Sequence, residues 1–224
     1  MDELMEKLKS SPIFRNIPES VLQTQILPHG KRIDVPKNGT VIQYQELVEH
    51  FSVVISGKLH ILHSFEDGTY SIFHVLRSAD VAGVDLLWTG SRLAPYFVTA
   101  AETSVILRFP ASIMEILEPQ WKFQVVENAL KMVSHENMRK EYRLAILSRK
   151  GLRERILTYL SMQCARRHMK TFTIPFSREE LSSFLCVNRS AMCHELSLMQ
   201  QEGLIQFRKN EFTLCNCESI RIPE

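Results

Sequence analysis

From Pro119 to Leu147 the chain carries neither a glycine nor an internal proline. Phe123, Val126, Leu130, Val133, Asn137, Lys140, Leu144 and Leu147 fall there at alternating spacings of three and four. That series is the a/d seam of a helix that packs lengthwise against another helix. From Phe123 to Leu147 the rise is roughly 36 Å, at 1.5 Å per residue. A helix this long, with so narrow an apolar stripe, needs a partner, and a second copy of the chain is the simplest one. Asn137 occupies a seam position, where a polar side chain fixes register in a parallel pair at some cost in stability. Phe123, Val126, Leu130, Val133, Asn137 and Leu144 are the expected dimer interface. The competing arrangement lays the same stripe on the chain's own β-domain.

The pattern before this helix is different. Residues 2–26 read as two short helices broken at Ser11-Pro12 and Ile17-Pro18. From Lys31 onward, Ile33, Val35, Val41, Ile42, Val53, Val54, Ile55, Leu59, Ile61 and Leu62 lie in short β-rich runs. Turn signals separate them at Lys37-Asn38-Gly39, Ser56-Gly57-Lys58 and Glu66-Asp67-Gly68. Strands of this length and spacing predict a small antiparallel barrel or sandwich. Further strands are expected over Tyr70–Leu76 and within 96–109, and the period turns helical after Pro110.

Charge and composition narrow the function classes. Residues 148–224 hold 12 Lys+Arg against 8 Asp+Glu, whereas residues 1–147 hold 15 against 17. The basic part is the C-terminal third, which is compatible with a nucleic-acid partner there. No run of eighteen apolar residues exists, so no membrane span is expected. The start, Met1-Asp2-Glu3-Leu4-Met5-Glu6-Lys7, is acidic and lacks the form of a signal peptide, so a cytoplasmic location is expected. The five cysteines (164, 186, 193, 215 and 217) are odd in number, which argues for free thiols in a reducing compartment. Cys215-Asn216-Cys217 does not have zinc-site spacing, and no metal site is expected. No nucleophilic triad, phosphate loop or paired carboxylates stand out, so catalysis is not expected.

After a plausible hinge at Ser148-Arg149-Lys150-Gly151, a helix presents Leu152, Ile156, Leu157 and Leu160 on one face. Residues 171–176 then read as a strand. Ser177-Arg178-Glu179-Glu180 has the form of a capping box, with serine as N-cap and glutamate three residues on. Leu181, Phe184 and Leu185 give that helix its buried face, and Cys186-Val187-Asn188 turns the chain. A second helix opens at Asn188 or Arg189-Ser190, with Met192, Leu196 and Met199 inward and Gly203 closing it. Two short strands follow around Arg208-Lys209-Asn210. Helix, turn, helix and ribbon is the winged helix-turn-helix order. Its second helix enters the major groove and must present forked or short polar donors near its start. Arg189, Ser190, His194 and Ser197 lie on that outward face. Ser177, Arg178, Asn188, Arg208 and Lys209 are placed for phosphates or for the rim of the groove. For each of these charges the competing explanation is a solvated surface residue.

The run Ser177-Arg178-Glu179-Glu180-Leu181, with Val187-Asn188-Arg189-Ser190-Ala191-Met192, Glu195-Leu196, Met199 and Glu202-Gly203-Leu204-Ile205, resembles the winged helix of the CRP/FNR transcription regulators. Leu152-Arg153-Glu154-Arg155-Ile156-Leu157 with Tyr159-Leu160 looks like that family's first DNA-domain helix. Ser11-Pro12-Ile13-Phe14, Ile17-Pro18, Ile55-Ser56-Gly57-Lys58, Asp67-Gly68 and Asp80-Val81-Ala82-Gly83 extend the resemblance over nearly the whole chain. It implies an α+β architecture: a β-roll (jelly-roll-like) sensor domain over 1–118, a dimerisation helix over 119–147, and a winged helix-turn-helix over 148–224. It also implies a homodimer on double-stranded DNA, contact with RNA polymerase, and allosteric control by an effector in the roll.

Departures from the family pattern bear on that effector. Cyclic-nucleotide binders carry a glutamate directly after the glycine that aligns with Gly83; Val84 stands here, followed by Asp85. They carry an Arg-Ser or Arg-Thr pair that holds the cyclic phosphate; Pro95-Tyr96 aligns there, and a phosphate needs a fixed cation. Cyclic AMP is therefore not expected. Oxygen-sensing members hold an iron–sulfur cluster on N-terminal cysteines, and no cysteine precedes Cys164, so no cluster is expected. The haem-ligating histidine position holds Asp85; His60, His63 and His74 remain, and haem is not expected. Gly83, Val84, Asp85, Trp88, Arg92 and Tyr96 are the candidate lining of a pocket for an unidentified small molecule, against the alternative of ordinary core packing. Cys186 and Cys193 are candidates for redox tuning, against the alternative of inert small residues. Two other readings stay open: a signal-independent DNA binder, and a sensor that acts through protein contacts.

Overall fold

The computed structural model describes residues 2–64, 68 and 70–215. Two positions singled out in the sequence, the Glu66-Asp67 part of a turn and Cys217, lie outside the described residues. Packing divides the chain into one unit up to Asn137 and a second from Met138.

The first unit begins with helix α1 (Asp2–Ser10) and a 3-10 turn at Pro12–Phe14. The next expected helix is not regular. It starts as α2 (Glu19–Val21), widens to a π-turn over Leu22–Ile26 and tightens to a 3-10 turn over Leu27–His29. Pro28 offers no backbone N–H, so an α-helical ladder could not have continued there. Eight strands follow: β1 (Lys31–Val35), β2 (Thr40–Ile42), β3 (His50–Ser56), β4 (Leu59–Ser64), β5 (Tyr70–Leu76), β6 (Val81–Ala82), β7 (Phe97–Ala100) and β8 (Ser104–Pro110). They form two four-stranded antiparallel sheets, in the orders β1-β8-β3-β6 and β2-β7-β4-β5. This is the expected antiparallel β-roll.

Strands β3 and β8 are buried on both faces. Phe51, Val53, Leu107 and Phe109 point toward the N-terminal helical turns, where they meet Leu8, Ile13, Phe14 and Leu22. Phe109 lies between Phe14 and Phe51, with ring centroids 5.4 and 5.3 Å away. Val54 and Ile106 point the other way, into the roll with Val41, Ile42, Val48 and Val98. The period of two thus serves two cores at once. Gly57 allows the tight β3–β4 turn: its φ is +88°, and a Cβ there would stand 2.3 Å from Ser104 Oγ.

A short helix, α3 (Ile113–Ile116), leads to α4 (Pro119–Leu147), a single helix of 29 residues. One side of it packs on its own unit through Val125, Ala129 and the buried Asn128. Asn128 Nδ2 donates to the carbonyls of Ile13 at 3.0 Å and Arg15 at 2.8 Å, which ties the helix to the N-terminal turns. The seam residues are not on that side. Phe123 is 70% exposed, Leu130 66% and Leu144 62%, and Val126, Val133 and Asn137 are exposed too.

The second unit takes in the end of α4 from Met138, earlier than the boundary expected at 148. It continues with α5 (Leu152–Arg167), β9 (Thr171–Thr173), α6 (Arg178–Phe184), α7 (Arg189–Gln201), β10 (Ile205–Arg208) and β11 (Glu211–Leu214). Ile156, Tyr159 and Leu160 bury one face of α5. Tyr159 stands with Phe176 and Phe184 in an aromatic cluster, centroids 6.1 and 5.6 Å away. The three strands make one antiparallel sheet, β10-β11-β9, so the expected two-stranded ribbon gains an edge.

Candidate nucleic-acid interface

The entry to α6 is the capping box foreseen in the sequence. Glu180 N donates to Ser177 Oγ at 3.2 Å, and Ser177 N donates to Glu180 Oε2 at 2.7 Å. Two orphan donors at the helix start are thereby satisfied. The α6–α7 turn needs Cys186 in the left-handed region, at φ +54°. Asn188 then caps α7: its Oδ1 accepts from Ser190 N at 2.8 Å and Ala191 N at 3.2 Å. The cap fixes where α7 begins, and hence which side chains stand at its tip.

Along α7, Met192, Leu196 and Met199 are fully buried. Arg189, Ser190, His194 and Ser197 are exposed on the opposite side. Ser197 Oγ donates to the Cys193 carbonyl at 3.0 Å, so its proton is already committed within the helix. Arg208 and Lys209 are exposed at the β10–β11 turn, with Lys209 at φ +52°. Ser177 and Asn188 are exposed as well, with their side chains engaged in capping.

Arg178 is placed differently from the sequence expectation. Its guanidinium lies over the rings of Phe207 and Phe212, 5.0 and 4.8 Å from their centroids, and Nη2 donates to the Lys209 carbonyl at 2.7 Å. Burial lowers its pKa below the ordinary arginine value. It braces the β10–β11 turn from beneath, while Arg208 and Lys209 stay outside.

Four further arginines received no role from the sequence. Arg153 of α5 donates through Nη1 and Nη2 to the two carboxylate oxygens of Glu202, at 2.7 and 2.8 Å, and through Nε to Glu195. Arg143, near the end of α4 and 7% exposed, donates through Nε to the Phe184 carbonyl at 3.3 Å and lies 5.1 Å from the Phe184 ring centroid. Its Nη2 stands 3.7 Å from Cys186 Sγ. Arg155 donates to the carbonyls of Arg149 at 3.0 Å and Leu185 at 3.3 Å. Arg167 donates to the Thr173 carbonyl. Glu195 and the C-cap Glu202 stand about two turns apart, but no local spacing links either to Arg153. Nothing in the sequence marked Arg143, a cation among seam residues.

The candidate effector residues are only partly brought together. Gly83 holds φ +87° at the end of β6, where a Cβ would meet the His50 carbonyl at 3.1 Å. Val84 is buried behind it. Tyr96 is buried, and its hydroxyl donates to Asp85 Oδ1 at 2.6 Å. Burial, and then the Asp85 charge, raise the Tyr96 pKa well above that of an ordinary phenol. Trp88 is 53% exposed. Arg92 is also exposed, with its guanidinium 4.0 Å from Glu49. Both stand toward solvent, whereas Tyr96 is buried and Asp85 half-buried. His63 lies against Phe73, while His60 and His74 sit in the β4 and β5 ladder. Among the described residues no cluster of three or more His, Cys, Asp or Glu side chains could hold a metal ion. Among the described residues, Cys164, Cys186, Cys193 and Cys215 form no disulfide, and Cys186 and Cys215 are exposed. Among the described residues no helix is long and apolar enough to cross a membrane.

Two family models match the chain: the cyclic nucleotide-binding domain over residues 32–117 and the Crp-like helix-turn-helix domain over residues 154–221. The chain is 22% identical over 208 residues to the transcriptional activator protein FnrA of Stutzerimonas stutzeri, covering 89% of this chain and 82% of that one. It is 22% identical over 182 residues to electron transport regulator A of Shewanella oneidensis, covering 78% and 70%. A solved CooA variant from Carboxydothermus hydrogenoformans superposes with a TM-score of 0.69 at 15% identity, covering 89% of this chain and 91% of that one, a likeness of fold. A β-roll of the cyclic-nucleotide-binding type, a long connecting helix and a Crp-like helix-turn-helix, in this order, place the chain in the CRP/FNR family of transcription regulators.

Proposed function

We propose that two copies of this chain pair along the α4 seam and bind a two-fold symmetric DNA site, with α7 of each copy in a major groove. The observation that carries this reading is the division of α7: Met192, Leu196 and Met199 are fully buried, while Arg189, Ser190 and His194 stand exposed at its capped start. Arg189 reads a base, with Ser190 and His194 beside it. Arg208, Lys209 and the rim at Ser177 face phosphates. Phe123, Val126, Leu130, Val133, Asn137 and Leu144 form the contact between copies. The functional division is a sensor over 1–118, the pairing helix over 119–147 and the reader over 148–224. The two readers must stand about one DNA turn apart, roughly 34 Å, on successive grooves. A signal in the roll biases that arrangement through its differential affinity for two states. The protein acts in the cytoplasm, where the promoter and RNA polymerase are. Tyr96 aligns with the pair that holds the cyclic phosphate in cyclic-nucleotide binders, and its hydroxyl is engaged by Asp85, which supports a signal other than cyclic AMP. The same bond favours a second reading, in which the protein binds DNA without a ligand.

Selection of bound sequences from random duplex tests the proposal, followed by titration of the selected site. A two-fold symmetric consensus is expected, with binding that weakens steeply as salt rises. Arg189→Ala should cost on the order of 1–3 kcal/mol and relax one base position in each half-site. No enriched sequence, or unchanged binding by Arg189→Ala, refutes it.

A further inference from the structure

We infer that Arg153 is a positioning residue for the DNA-reading helix, a role that rests on α7 being that helix. One guanidinium reaches two points on α7. Its fork takes both oxygens of Glu202, at the helix end, while Nε takes Glu195 two turns earlier. Arg153 is near the start of α5, so the contact fixes α7 against α5 in both tilt and rotation. The α6–α7 turn is held from the other side. Arg143 and Arg155 donate to the carbonyls of Phe184 and Leu185, at the C-terminal end of α6. Those carbonyls have no partners within the helix and carry the negative end of its dipole, which is where a cation is favourable. Arg155 also holds the Arg149 carbonyl, within the expected hinge. Three arginines from α4 and α5 thus bind the two helices of the reader into one body.

Arg153 does not lie on the exposed Arg189–His194 face. Its removal deletes no expected DNA contact. Base readout needs side chains in hydrogen-bonding geometry, whereas phosphate contacts tolerate small shifts. Loosening α7 therefore weakens discrimination more than it weakens non-specific grip. A lysine cannot replace the fork, because it offers a point charge without paired, coplanar donors. The pair is partly exposed, Arg153 at 39% and Glu202 at 45% of side-chain surface, so the effect is moderated by solvent.

The test uses the full chain as Arg153→Lys and Glu202→Gln, with affinities for the selected duplex and for random duplex measured across a salt series. Hydrogen exchange over residues 189–202 is followed in parallel. The ratio of specific to non-specific affinity should fall by about tenfold, with the salt slope unchanged and exchange across α7 faster. An unchanged ratio in both variants overturns the inference. A salt slope reduced by about one, with both affinities lowered alike, also overturns it, since Arg153 would then be a phosphate contact. Wild-type protein that prefers no duplex is a distinct result, which sinks the proposed function instead. Glu202→Gln keeps the shape of the side chain, so the test survives if Arg153→Lys fails to fold.

Discussion

Asn188 offers a way to separate the architecture of the reader from its contact with DNA. Its carboxamide accepts from Ser190 N and Ala191 N and faces solvent at the tip of α7. Asn188→Ala removes the one oxygen that accepts both bonds and should cost roughly 0.5–2 kcal/mol of local stability. For a unit of this size that is a fall in Tm of roughly 4–8 °C per kcal/mol. Asn188→Asp keeps the acceptor, ranks equally as an N-cap, and adds about 0.3–1 kcal/mol from the charge at the positive helix end. Free-protein stability should therefore order Asp at or above Asn, and both above Ala. DNA affinity should follow another order. A carboxylate at the tip meets phosphates and costs about 1 kcal/mol per copy even in high dielectric, a loss that salt screens. The alanine variant loses affinity because its frayed tip must be ordered on binding, and that loss is independent of salt. Differential scanning calorimetry and binding titrations at two salt concentrations measure both orders. Equal destabilisation by Ala and Asp refutes the capping argument, and full low-salt affinity in Asn188→Asp shows that this tip does not face DNA.

Leu130→Glu, at the exposed centre of the α4 seam, should turn the proposed homodimer into a monomer in sedimentation and reduce binding to that of a half-site; a dimer of unchanged affinity would exclude the seam. Asn128→Ala strands the Ile13 and Arg15 carbonyls in the first unit and should lower its unfolding free energy by roughly 1–3 kcal/mol, read from denaturant melts. The His50 pKa is pushed below its ordinary value by burial first and by Arg108 second, against Glu46 and Glu49, which pull it up. The unfolded chain then binds the proton more readily than the folded one. Stability is complete above about pH 6.5 and declines as pH falls below it. His50→Gln should flatten that decline in melts run from pH 7.5 to 5, and an unchanged slope would assign it elsewhere.

The parts of this molecule that were legible in sequence are those built from local rules. A capping box needs only Ser177 and Glu180 three residues apart, and a capped α7 needs only Asn188 before a helical period. The α4 seam was legible because spacing alone decides which residues share a face, although spacing could not tell whether that face meets the roll or another chain. Their exposure shows that this face does not pack on the roll, since Val125 and Ala129 are the residues turned inward, and it leaves the seam open to a second chain. Long-range contacts were illegible. Arg178 reads as one more exposed cation until Phe207 and Phe212, brought in by the β10–β11 turn, are placed beneath it. Arg143 is polar by every local measure and is buried because Phe184 and its carbonyl supply a ring and an acceptor. Trp88 and Tyr96 are equally aromatic in sequence, yet one faces solvent and the other the roll interior.

The same contrast bears on what the roll can sense. A buried anion must be matched by a cation or by several donors, because its desolvation is otherwise uncompensated. Relatives that bind cyclic nucleotides meet that need with an arginine beside the phosphate. Here the Tyr96 hydroxyl is committed to Asp85, and the carboxylate itself would oppose a second negative charge. The nearby cation Arg92 is turned outward toward Glu49. An anionic effector would have to break the Tyr96–Asp85 bond, desolvate Asp85 and draw Arg92 inward before gaining any contact of its own. A neutral or cationic molecule avoids the charge opposition and needs no cation drawn inward, and its donor competes only with the Tyr96 hydroxyl at that oxygen of Asp85. On the proposed reading, a donor that displaces the Tyr96 hydroxyl from Asp85 shifts the balance between the two states of the dimer.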